Sequence, residues 1–493
     1  MLSIGFISVI GDEILKGYTE DSNSHFLAQR LFKMGIKVEK ISVVADVVPE
    51  IAAEVRQFSE NYTFVITSGG VGPTHDDKTF LAVAEAFGDK IELNEQLAAI
   101  VKTFFNKNPE SKPENLSSAL KLAEIPSTAV LLWGENKQTG QKSVYPVVRV
   151  RNVTVFPGIP RLLERAFDML QDHFAVGSAF CCLPIYLNTD EFSIASALTN
   201  VAEKYKGSVN IGSYPKLDHS YYRVKVVVDS SAQELAETAH KELMSLLNES
   251  VIPFDSSPLQ NCVVKFDAYL KSLEKVDPKF YALIQQSVEL VDGMLENYAA
   301  NQICMSFNGG KDCTVLLHLL HISLHRKHGS DGAYKLKAVY FKPSASFKEL
   351  DDFTDESAKR YNLELVTLHG RIKQCLTELK ESDPDLEVVF MGTRQTDPNS
   401  AHLEPVAPTD PEWPQFLRVS PLISWNYAQI WKFLRDLWLP YCKLYDRGYT
   451  SVGCKNTTGP NPQLQFVDSF GFTRYKPAHM LKDGNLERLG RTK

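Results

Sequence analysis

Residues 303–320 read ICMSFNGGKDCTVLLHLL, a short apolar run that passes through a Gly-Gly-Lys-Asp turn directly into a second apolar run. This pattern is typical of a buried strand followed by a helix that begins inside the turn. The first amide groups of a helix lack partners within it and carry the positive end of its dipole, so they favour an anion. The stretch therefore predicts a strand–loop–helix phosphate site, although an ordinary capped βα turn also fits these residues.

Strand-like and helix-like runs continue to alternate on the carboxyl side of this turn. Such alternation is typical of a parallel sheet covered by helices. A helical stretch over 262–300 precedes the turn, so we expect one α/β domain over residues 262–493. Its predicted strands lie near 302–307, 336–341, 362–368 and 387–391.

The first part of the chain has the same alternation. Strands are predicted at 4–10, 38–44 and 63–67, and helices near 23–34 and 49–60. Because strands separated by helices form parallel sheets with helices on both faces, we expect a three-layer α/β domain over residues 1–178.

A shorter βαββα pattern follows. It contains the runs LPIYLN, SVNIGSYP and YYRVKVVVD, with helices near 190–205 and 231–248. This order predicts a small α+β module over residues 179–255. The polar, proline-containing stretch 249–261 has the composition of a linker.

Composition and charge exclude several classes of protein. The 53 Lys and Arg residues against 60 Asp and Glu residues give a net charge of −7, which argues against a general nucleic-acid or membrane-surface binder. No apolar run is long enough to span a bilayer, and the first residues resemble a core strand more than a signal peptide. The eight cysteines form no C-x-x-C pair and favour a reducing compartment. We therefore expect a cytoplasmic protein.

The S-x-G-G-K-D pattern beginning at Ser306 departs from the Walker A loop, which requires G-x-x-x-x-G-K-[ST]. It resembles the pyrophosphate loop of the ATP pyrophosphatase superfamily, in its sulfonucleotide-reductase-like branch. The resemblance implies that the loop holds the departing pyrophosphate of ATP. The ATP-binding residues would be Ser306, Phe307, Asn308, Gly309, Gly310, Lys311 and Asp312.

Four later motifs occur in a fixed order after the loop: FMGTRQTDP (390–398), PTDPEWPQFLRVSPLISW (408–425), PYCKLYDRGYTSVG (440–453) and NLERLGR (485–491). Together with the loop they resemble the eukaryotic FAD synthases, the FMN adenylyltransferases. The resemblance implies that AMP passes from MgATP to FMN, giving FAD and pyrophosphate. The alternatives are sulfonucleotide or tRNA-modifying chemistry on the same fold, and a non-catalytic flavin- or nucleotide-binding regulator.

The resemblance also implies roles for individual residues. Arg488 and Arg491 would share one face if their segment were helical, and would bind phosphates. Asp312 and Asp397 are the candidate Mg²⁺ ligands, because they are the acids nearest the two phosphate motifs. The implied catalytic residues are Asn308, Lys311, Asp312, Asp397, Arg488 and Arg491. The implied FMN-binding residues are Gly392, Thr393, Arg394, Asp397, Asp410 and Trp413.

The motifs VIGDEILKG (9–17), TSGGVGPTHDDKT (67–79) and FPGIP (156–160) resemble the molybdopterin-binding fold, and within it the competence-damage-inducible proteins. The middle module resembles the KH-like module of those proteins, but it lacks a G-x-x-G loop and is expected to be scaffold. The implied site consists of Asp12, Asp46, Ser68, Gly69, Gly70, Gly72, Asp76 and Asp77, with Asp77 a possible metal ligand. An inert remnant, pterin nucleotidyl transfer and hydrolysis of a nucleotide pyrophosphate such as FAD all remain open.

The expected partners are small molecules, ATP and FMN, with no nucleic acid and no membrane. FAD as product also implies apoflavoproteins as clients, and the oligomeric state stays open. His318 and His321 follow the loop as an i, i+3 pair without carboxylates, which predicts packing rather than metal binding.

Overall fold

The computed structural model describes residues 3–107, 115–137, 139–174, 179–329 and 335–492. By internal contacts the chain divides into two units, Met1–Pro215 with Val224–Val251 and Lys216–Arg223 with Ile252–Lys493. The predicted boundary at residue 178 lies outside the described residues, so the division into three domains stays a prediction. Within the described ranges every helix is either too short or too polar to span a bilayer.

The amino-terminal part of the first unit is a three-layer α/β fold, as predicted. Its main sheet has the order β2-β1-β3-β8-β7-β6, in which β2, β1, β3 and β8 are parallel and the last two pairings are antiparallel. In chain order its elements are β1 (Ser3–Ile10), α1 (Asp12–Leu15), α2 (Asn23–Lys33), β2 (Ile36–Val44), α3 (Val48–Asn61), β3 (Phe64–Ser68), α4 (Thr79–Phe87), β4 (Ile91–Leu93), α5 (Glu95–Lys107), α6 (Leu116–Leu120), β5 (Glu124–Pro126), β6 (Val130–Leu132), β7 (Val147–Val150), β8 (Val153–Phe156) and α7 (Pro160–Leu170).

Successive residues of β1 build the two cores of this fold. Phe6 belongs to the core formed with α3 and α4, whereas Ile7 belongs to the core formed with α2 and α7. Because neighbouring side chains of a strand point to opposite faces, a continuous apolar run fills both layers. The sheet is therefore covered by helices on both faces.

The rest of the first unit is an α+β module. Its sheet has the order β10-β11-β9-β12, and α8 and α9 share one core with its apolar face. The predicted βαββα order is confirmed, and a short fourth strand from the predicted linker joins it. The elements are β9 (Cys181–Leu187), α8 (Glu191–Lys204), β10 (Asn210–Pro215), β11 (Val224–Ser230), α9 (Gln233–Leu246) and β12 (Val251–Ile252).

The second unit is a further α/β fold. Its sheet has the order β15-β14-β13-β16-β18-β17, with β17 the only antiparallel strand of this sheet. The elements are α10 (Cys262–Val276), α11 (Pro278–Asn297), β13 (Ile303–Ser306), α12 (Lys311–His328), β14 (Lys337–Lys342), α13 (Lys348–Arg360), β15 (Glu364–His369), α14 (Ile372–Ser382), β16 (Val388–Phe390), β17 (Val406–Pro408), β18 (Leu417–Val419), α15 (Tyr427–Asp436), β19 (Gln465–Val467) and β20 (Thr473–Tyr475).

Helix α12 lies at the centre of this unit. Twelve of its 18 residues are buried, and α10, α11 and α15 all pack against it. A helix that is apolar nearly all round belongs in the interior of a domain. Its first residue, Lys311, is therefore held by the core of the unit.

Candidate active site

The predicted phosphate loop lies where the strand order of the second sheet reverses. β14 and β15 lie on one side of β13, whereas β16 and β18 lie on the other. In open parallel sheets such a reversal leaves a crevice outside the carboxyl ends of the strands, where ligands bind. The loop after β13 and the segment after β16 both end in this crevice.

Three side chains hold the loop in shape. The amide of Gly310 donates to Oδ1 of Asn308 (3.0 Å), and the thiol of Cys313 donates to the same oxygen (3.0 Å). The amide of Lys311 donates to the hydroxyl of Tyr445 (2.9 Å). Gly309 has φ +70°, a conformation that favours glycine, and a side chain there would press on Thr354. Two of the loop amides thus already have partners within the protein.

Beneath the loop lies a cluster of four charged side chains. Nζ of Lys311 is 3.0 Å from the carboxylate of Asp312 and 3.7 Å from that of Glu487. Arg394 contacts the same two acids, with Nε 2.8 Å from Asp312 and Nη2 2.6 Å from Glu487. Lys311 is 2% exposed and Arg394 1% exposed, so two cations and two anions neutralise each other away from water.

The cluster controls the protonation of its members. Burial acts to raise the pKa of Asp312, but the charges of Lys311 and Arg394 outweigh it, and the pKa is lowered overall. Burial alone would lower the pKa of Arg394, and the carboxylates of Asp312 and Glu487 raise it instead. Asp312 is therefore a carboxylate and Arg394 a guanidinium cation at neutral pH.

Two adjoining cavities open above the loop. The first has a volume of about 270 Å³, and the second, of about 200 Å³, shares Asn308, Gly310 and Val452 with it. Most of the residues predicted for ATP and FMN line the first cavity. They are Ser306, Asn308, Gly310, Lys311, Asp312, Gly392, Thr393, Asp397 and Arg488.

Two predicted site residues lie beneath the cavity wall. The ring of Phe307 is fully buried, and its amide donates to the carbonyl of Val339 (3.0 Å). Arg394 is occupied by its acidic partners, and its own amide donates to Oδ2 of Asp397 (2.9 Å). Gly392 is needed because a side chain there would collide with the first turn of α12, at Cys313.

The carboxyl-terminal arginines do not share a helical face. Among residues 484–492 only Gly484–Leu486 form a helix, a single 3₁₀ turn. Arg488 lines the first cavity, whereas Arg491 forms an isolated bridge with Thr458, and its guanidinium lies against Gly453. Burial and the charge of Arg488 lower the pKa of Arg491. A backbone bridge between Arg491 and Thr458 is observed where the sequence suggested a helix.

The segment predicted for the flavin ring lies at the edge of the sheet. Asp410 is exposed and lies 3.7 Å from Arg418, while Trp413 packs on the core formed by α14 and β16, with Lys373 over its ring. Neither residue lines the two cavities above the loop. Their contact with flavin stays a prediction.

Glu487 was not predicted as a site residue, and Tyr445 was expected only to hold loop structure. Glu487 is the acid within NLERLGR and Tyr445 lies within PYCKLYDRGYTSVG, so both were in quoted motifs. Tyr427, whose ring lies 5.3 Å from Nζ of Lys311, was in none of them. Only their burial next to Lys311 distinguishes these residues from ordinary core and surface side chains.

The first unit has its own glycine-rich turn, after β3. Gly69 and Gly70 have φ +108° and +61°, and a side chain on Gly69 would collide with the carbonyl of Ile10. The hydroxyl of Thr79 donates to the carbonyl of Gly69 (2.8 Å) at the start of α4. The hydroxyl of Ser68 accepts from Asn23 (2.9 Å), so it is part of the buried scaffold.

The acids predicted for the site of the first unit fall into two groups. Oδ2 of Asp46 accepts from the amide of Asp12 (2.9 Å), and burial raises the pKa of Asp46. Asp76 and Asp77 both accept from the hydroxyl of Thr74, each at 2.5 Å. Of the predicted residues, Gly70, Gly72 and Asp77 line a cavity of about 560 Å³, together with Lys78 and Lys121.

Comparisons with known families match three separate parts of the chain. Residues 6–174 match the model for a probable molybdopterin binding domain, and residues 179–256 match the FAD synthase middle domain. Residues 302–385 and 370–460 match the phosphoadenosine phosphosulfate reductase domain.

Two relatives are similar over almost the whole chain. Probable FAD synthases of Caenorhabditis elegans and Caenorhabditis briggsae are each 40% identical, and each alignment covers 99% of this chain and 96% of the relative. The crystal structure of Candida glabrata FMN adenylyltransferase in complex with FMN and an ATP analogue is 28% identical. It covers 48% of this chain and 96% of its own, with a TM-score of 0.43. On the identity and coverage of its relatives, the chain belongs to the FAD synthase family.

Proposed function

We propose that residues 262–493 transfer AMP from ATP to the phosphate of FMN, giving FAD and pyrophosphate. The observation that carries this proposal is the position of Lys311, which begins the buried helix α12, contacts Asp312 and Glu487, and lines the cavity above the loop. Membership of the FAD synthase family supports the same reaction.

The reaction depends on positioning the two substrates rather than on transferring a proton. An oxygen of the FMN phosphate forms a bond to the α-phosphorus of ATP, and the bond from that phosphorus to the oxygen bridging to the β-phosphorus breaks. The attacking phosphate is already ionised at neutral pH, so no general base is needed. Lys311 and Arg488 face the cavity and supply positive charge for the leaving pyrophosphate.

The two adjoining cavities suit the two ends of ATP. The second cavity is lined by Tyr340, Phe341 and Pro343, an apolar surface that suits a purine ring. The first holds the charged groups that suit phosphates. The shared wall at Asn308 and Gly310 would then lie beside the α-phosphorus.

ATP enters this reaction as its magnesium complex. Both oxygens of Asp312 are occupied, one by Arg394 and one by Lys311. Asp397 accepts from the amide of Arg394 through Oδ2 (2.9 Å), its Oδ1 lies 3.8 Å from Nη2 of Arg394, and the residue lines the cavity. Of the two predicted ligands, Asp397 therefore has the more available carboxylate oxygen for Mg²⁺, and Asp312 orients the cations.

Membership of the FAD synthase family does not favour thiol chemistry on the same fold, and the loop cysteine offers no reactive thiolate. The Cys313 thiol is buried beside the loop, and burial raises its pKa to about 12. A sulfonucleotide-reductase or thiolating reaction needs a reactive thiolate, and Cys313 is a protonated donor to Asn308.

A second candidate activity concerns the first unit, where a nucleotide pyrophosphate such as FAD would be hydrolysed. The supporting observation is the cavity of about 560 Å³ that combines Asp77 with Lys78 and Lys121 beside the glycine turn. This donor set suits a phosphate ligand and a divalent cation. Asp77→Ala should abolish release of FMN from FAD while FAD synthesis continues, and a full chain that never releases FMN would contradict this activity.

A cytoplasmic location and apoflavoprotein clients remain part of the proposal. All eight cysteines are free thiols, which suits a reducing compartment.

The main activity is tested by mixing the full chain with FMN and MgATP and following pyrophosphate and FAD together. We expect both products in equal amounts. Lys311→Met should reduce the rate about 100- to 1,000-fold, because it removes one donor to developing charge. Lys359→Met, at an exposed position, is the matched control. Absence of both products with the folded wild-type chain would overturn the proposal.

A further inference from the structure

A second group of titratable side chains lies on α12, toward the end opposite the phosphate loop. Cys262 is the first residue of α10, and His321 and His325 lie one helical turn apart on α12. One ligand atom from each residue lies within 4.8 Å of the other two. The reaction proposed above uses none of these residues.

Local structure explains how the three residues meet. Residues four apart on a helix share one face, so both imidazoles point to the same side of α12. Helix α10 packs against α12, and its first residue follows Asn261, which has φ +53°. Cys262 is 3% exposed, so its thiol is enclosed while the two imidazoles are partly accessible.

The neighbouring His318 is part of the core. Its Nδ1 lies 3.2 Å from the hydroxyl of Tyr361, and the side chain is buried. The packing role predicted for His318 fits this contact. The prediction that His321 also only packs did not take into account the more distant Cys262.

The chemistry of the three donors selects the ligand. A thiolate with two imidazoles is a borderline-soft donor set, which suits zinc and not Mg²⁺ or Ca²⁺. Tetrahedral zinc bonds are about 2.0–2.3 Å long, so the three ligand atoms, which lie within 4.8 Å of one another, must move closer together to bind one ion.

A cavity beside the two histidines leaves room for a fourth ligand. It has a volume of about 240 Å³ and is lined by His321, His325 and the exposed His328, with Arg360 and Tyr361 also in its wall. A water molecule in this cavity would complete the coordination.

We propose that Cys262, His321 and His325 bind one zinc-class divalent cation that joins α10 to α12. The metal displaces the thiol proton of Cys262 to solvent and forms one bond to sulfur and two to nitrogen. Because α12 begins at Lys311, the site fixes the helix that carries the phosphate loop. Its role is positional, and no reaction step passes through it.

The test uses the full chain after treatment with a chelator, titrated with Zn²⁺ alone and with Co²⁺ as a spectroscopic probe. We expect one ion per chain, thiolate-to-cobalt charge-transfer absorption, and a higher unfolding temperature with zinc. Cys262→Ser should abolish the charge-transfer band. His325→Gln should weaken binding at least 10-fold, because even loss of an outer-shell partner costs about 10- to 100-fold.

Matched controls are Cys182→Ser and His240→Gln, at an exposed cysteine and a half-buried histidine of the first unit. Both should keep wild-type cobalt spectra and stoichiometry. The proposal is overturned if the wild-type chain binds no stoichiometric ion, or if Cys262→Ser and His325→Gln bind it as the controls do. Circular dichroism of each variant excludes loss of fold as the cause.

Discussion

Nη2 of Arg394 lies 2.6 Å from Oε1 of Glu487, although 93 residues separate the two in sequence. The pair joins the segment after β16 to the carboxyl-terminal segment beneath the phosphate loop. Glu487 also lies 3.7 Å from Lys311. A single carboxylate therefore contacts both buried cations of the site.

Glu487→Gln should destabilise the second unit, because it leaves Arg394 and Lys311 with one carboxylate between them. Removing one partner of a buried ion pair costs roughly 3–5 kcal/mol of the free energy of unfolding, and the retained amide keeps the loss near the lower end. Urea unfolding of the full chain measures it. Glu356→Gln, at an exposed site on α13, is the control, and equal unfolding midpoints would show that the cluster is not stabilising.

Arg488→Ala should lower kcat more than it weakens FMN binding, because its charge faces the cavity where pyrophosphate departs. Losing one such donor typically costs about 100- to 1,000-fold in rate. Steady-state rates and a flavin fluorescence titration separate the two effects. Arg371→Ala, on the exposed start of α14, should behave as wild type. Weaker FMN binding at unchanged kcat would assign Arg488 to ground-state recognition instead.

Asp410→Ala should weaken FMN binding about 10- to 150-fold and leave stability unchanged. A charge-assisted hydrogen bond to the ring is worth roughly 1.5–3 kcal/mol before and after transfer. The exposed pair with Arg418, at 3.7 Å, contributes little to folding. Fluorescence titration is the measurement, with the exposed Glu412→Ala as control. Flavin affinity equal to that of the control would remove Asp410 from the site.

The Cys313 thiol should resist alkylation of the native chain at about pH 8, while the exposed Cys182 reacts. Burial raises the pKa of Cys313 from its ordinary 9.0 to about 12. Below pH 9.0 the thiol is protonated in both the folded and the unfolded chain, and its full contribution to stability is present. Between pH 9.0 and 12 only the unfolded chain loses the proton, so stability falls as pH rises. Mass spectrometry of labelled peptides checks the protection, and rapid native labelling of Cys313 would contradict it.

Tyr221 belongs by its contacts to the second unit, although β10 and β11 on either side of it belong to the first. Its buried hydroxyl donates to the carbonyls of Leu434 (3.0 Å) and Leu439 (2.6 Å). Tyr221→Ala should therefore cost roughly 3–5 kcal/mol of stability, and Tyr221→Phe about 1 kcal/mol.

A fragment of residues 262–493 lacks the ring of Tyr221. It should still make FAD, but it should unfold at a lower denaturant concentration than the full chain. Rates per folded molecule and urea midpoints are the measurements. A fragment as stable as the full chain would show that Tyr221 adds nothing, and a folded but inactive fragment would place part of the synthase site outside 262–493.

Elements that depend on local pattern were predictable from sequence. The strand near 302–307 is observed as β13, and the turn after it starts α12, because apolar periodicity and glycine operate over a few residues. The three-layer first fold followed for the same reason, since both faces of β1 are apolar. The conformation of residues 485–491 could not be predicted in the same way. Arg491 forms a backbone bridge with Thr458 instead of continuing a helix.

By itself, the sequence determined the order of elements, the phosphate loop and the motifs that identify the family. Tertiary structure alone decided that Glu487 neutralises Lys311 and Arg394, that Arg394 lies under the cavity, and that Cys262 meets two histidines of α12. Charge pairing and metal ligation depend on distances of a few ångströms between residues far apart in the chain. Such distances follow from packing of the whole unit, which no local pattern encodes.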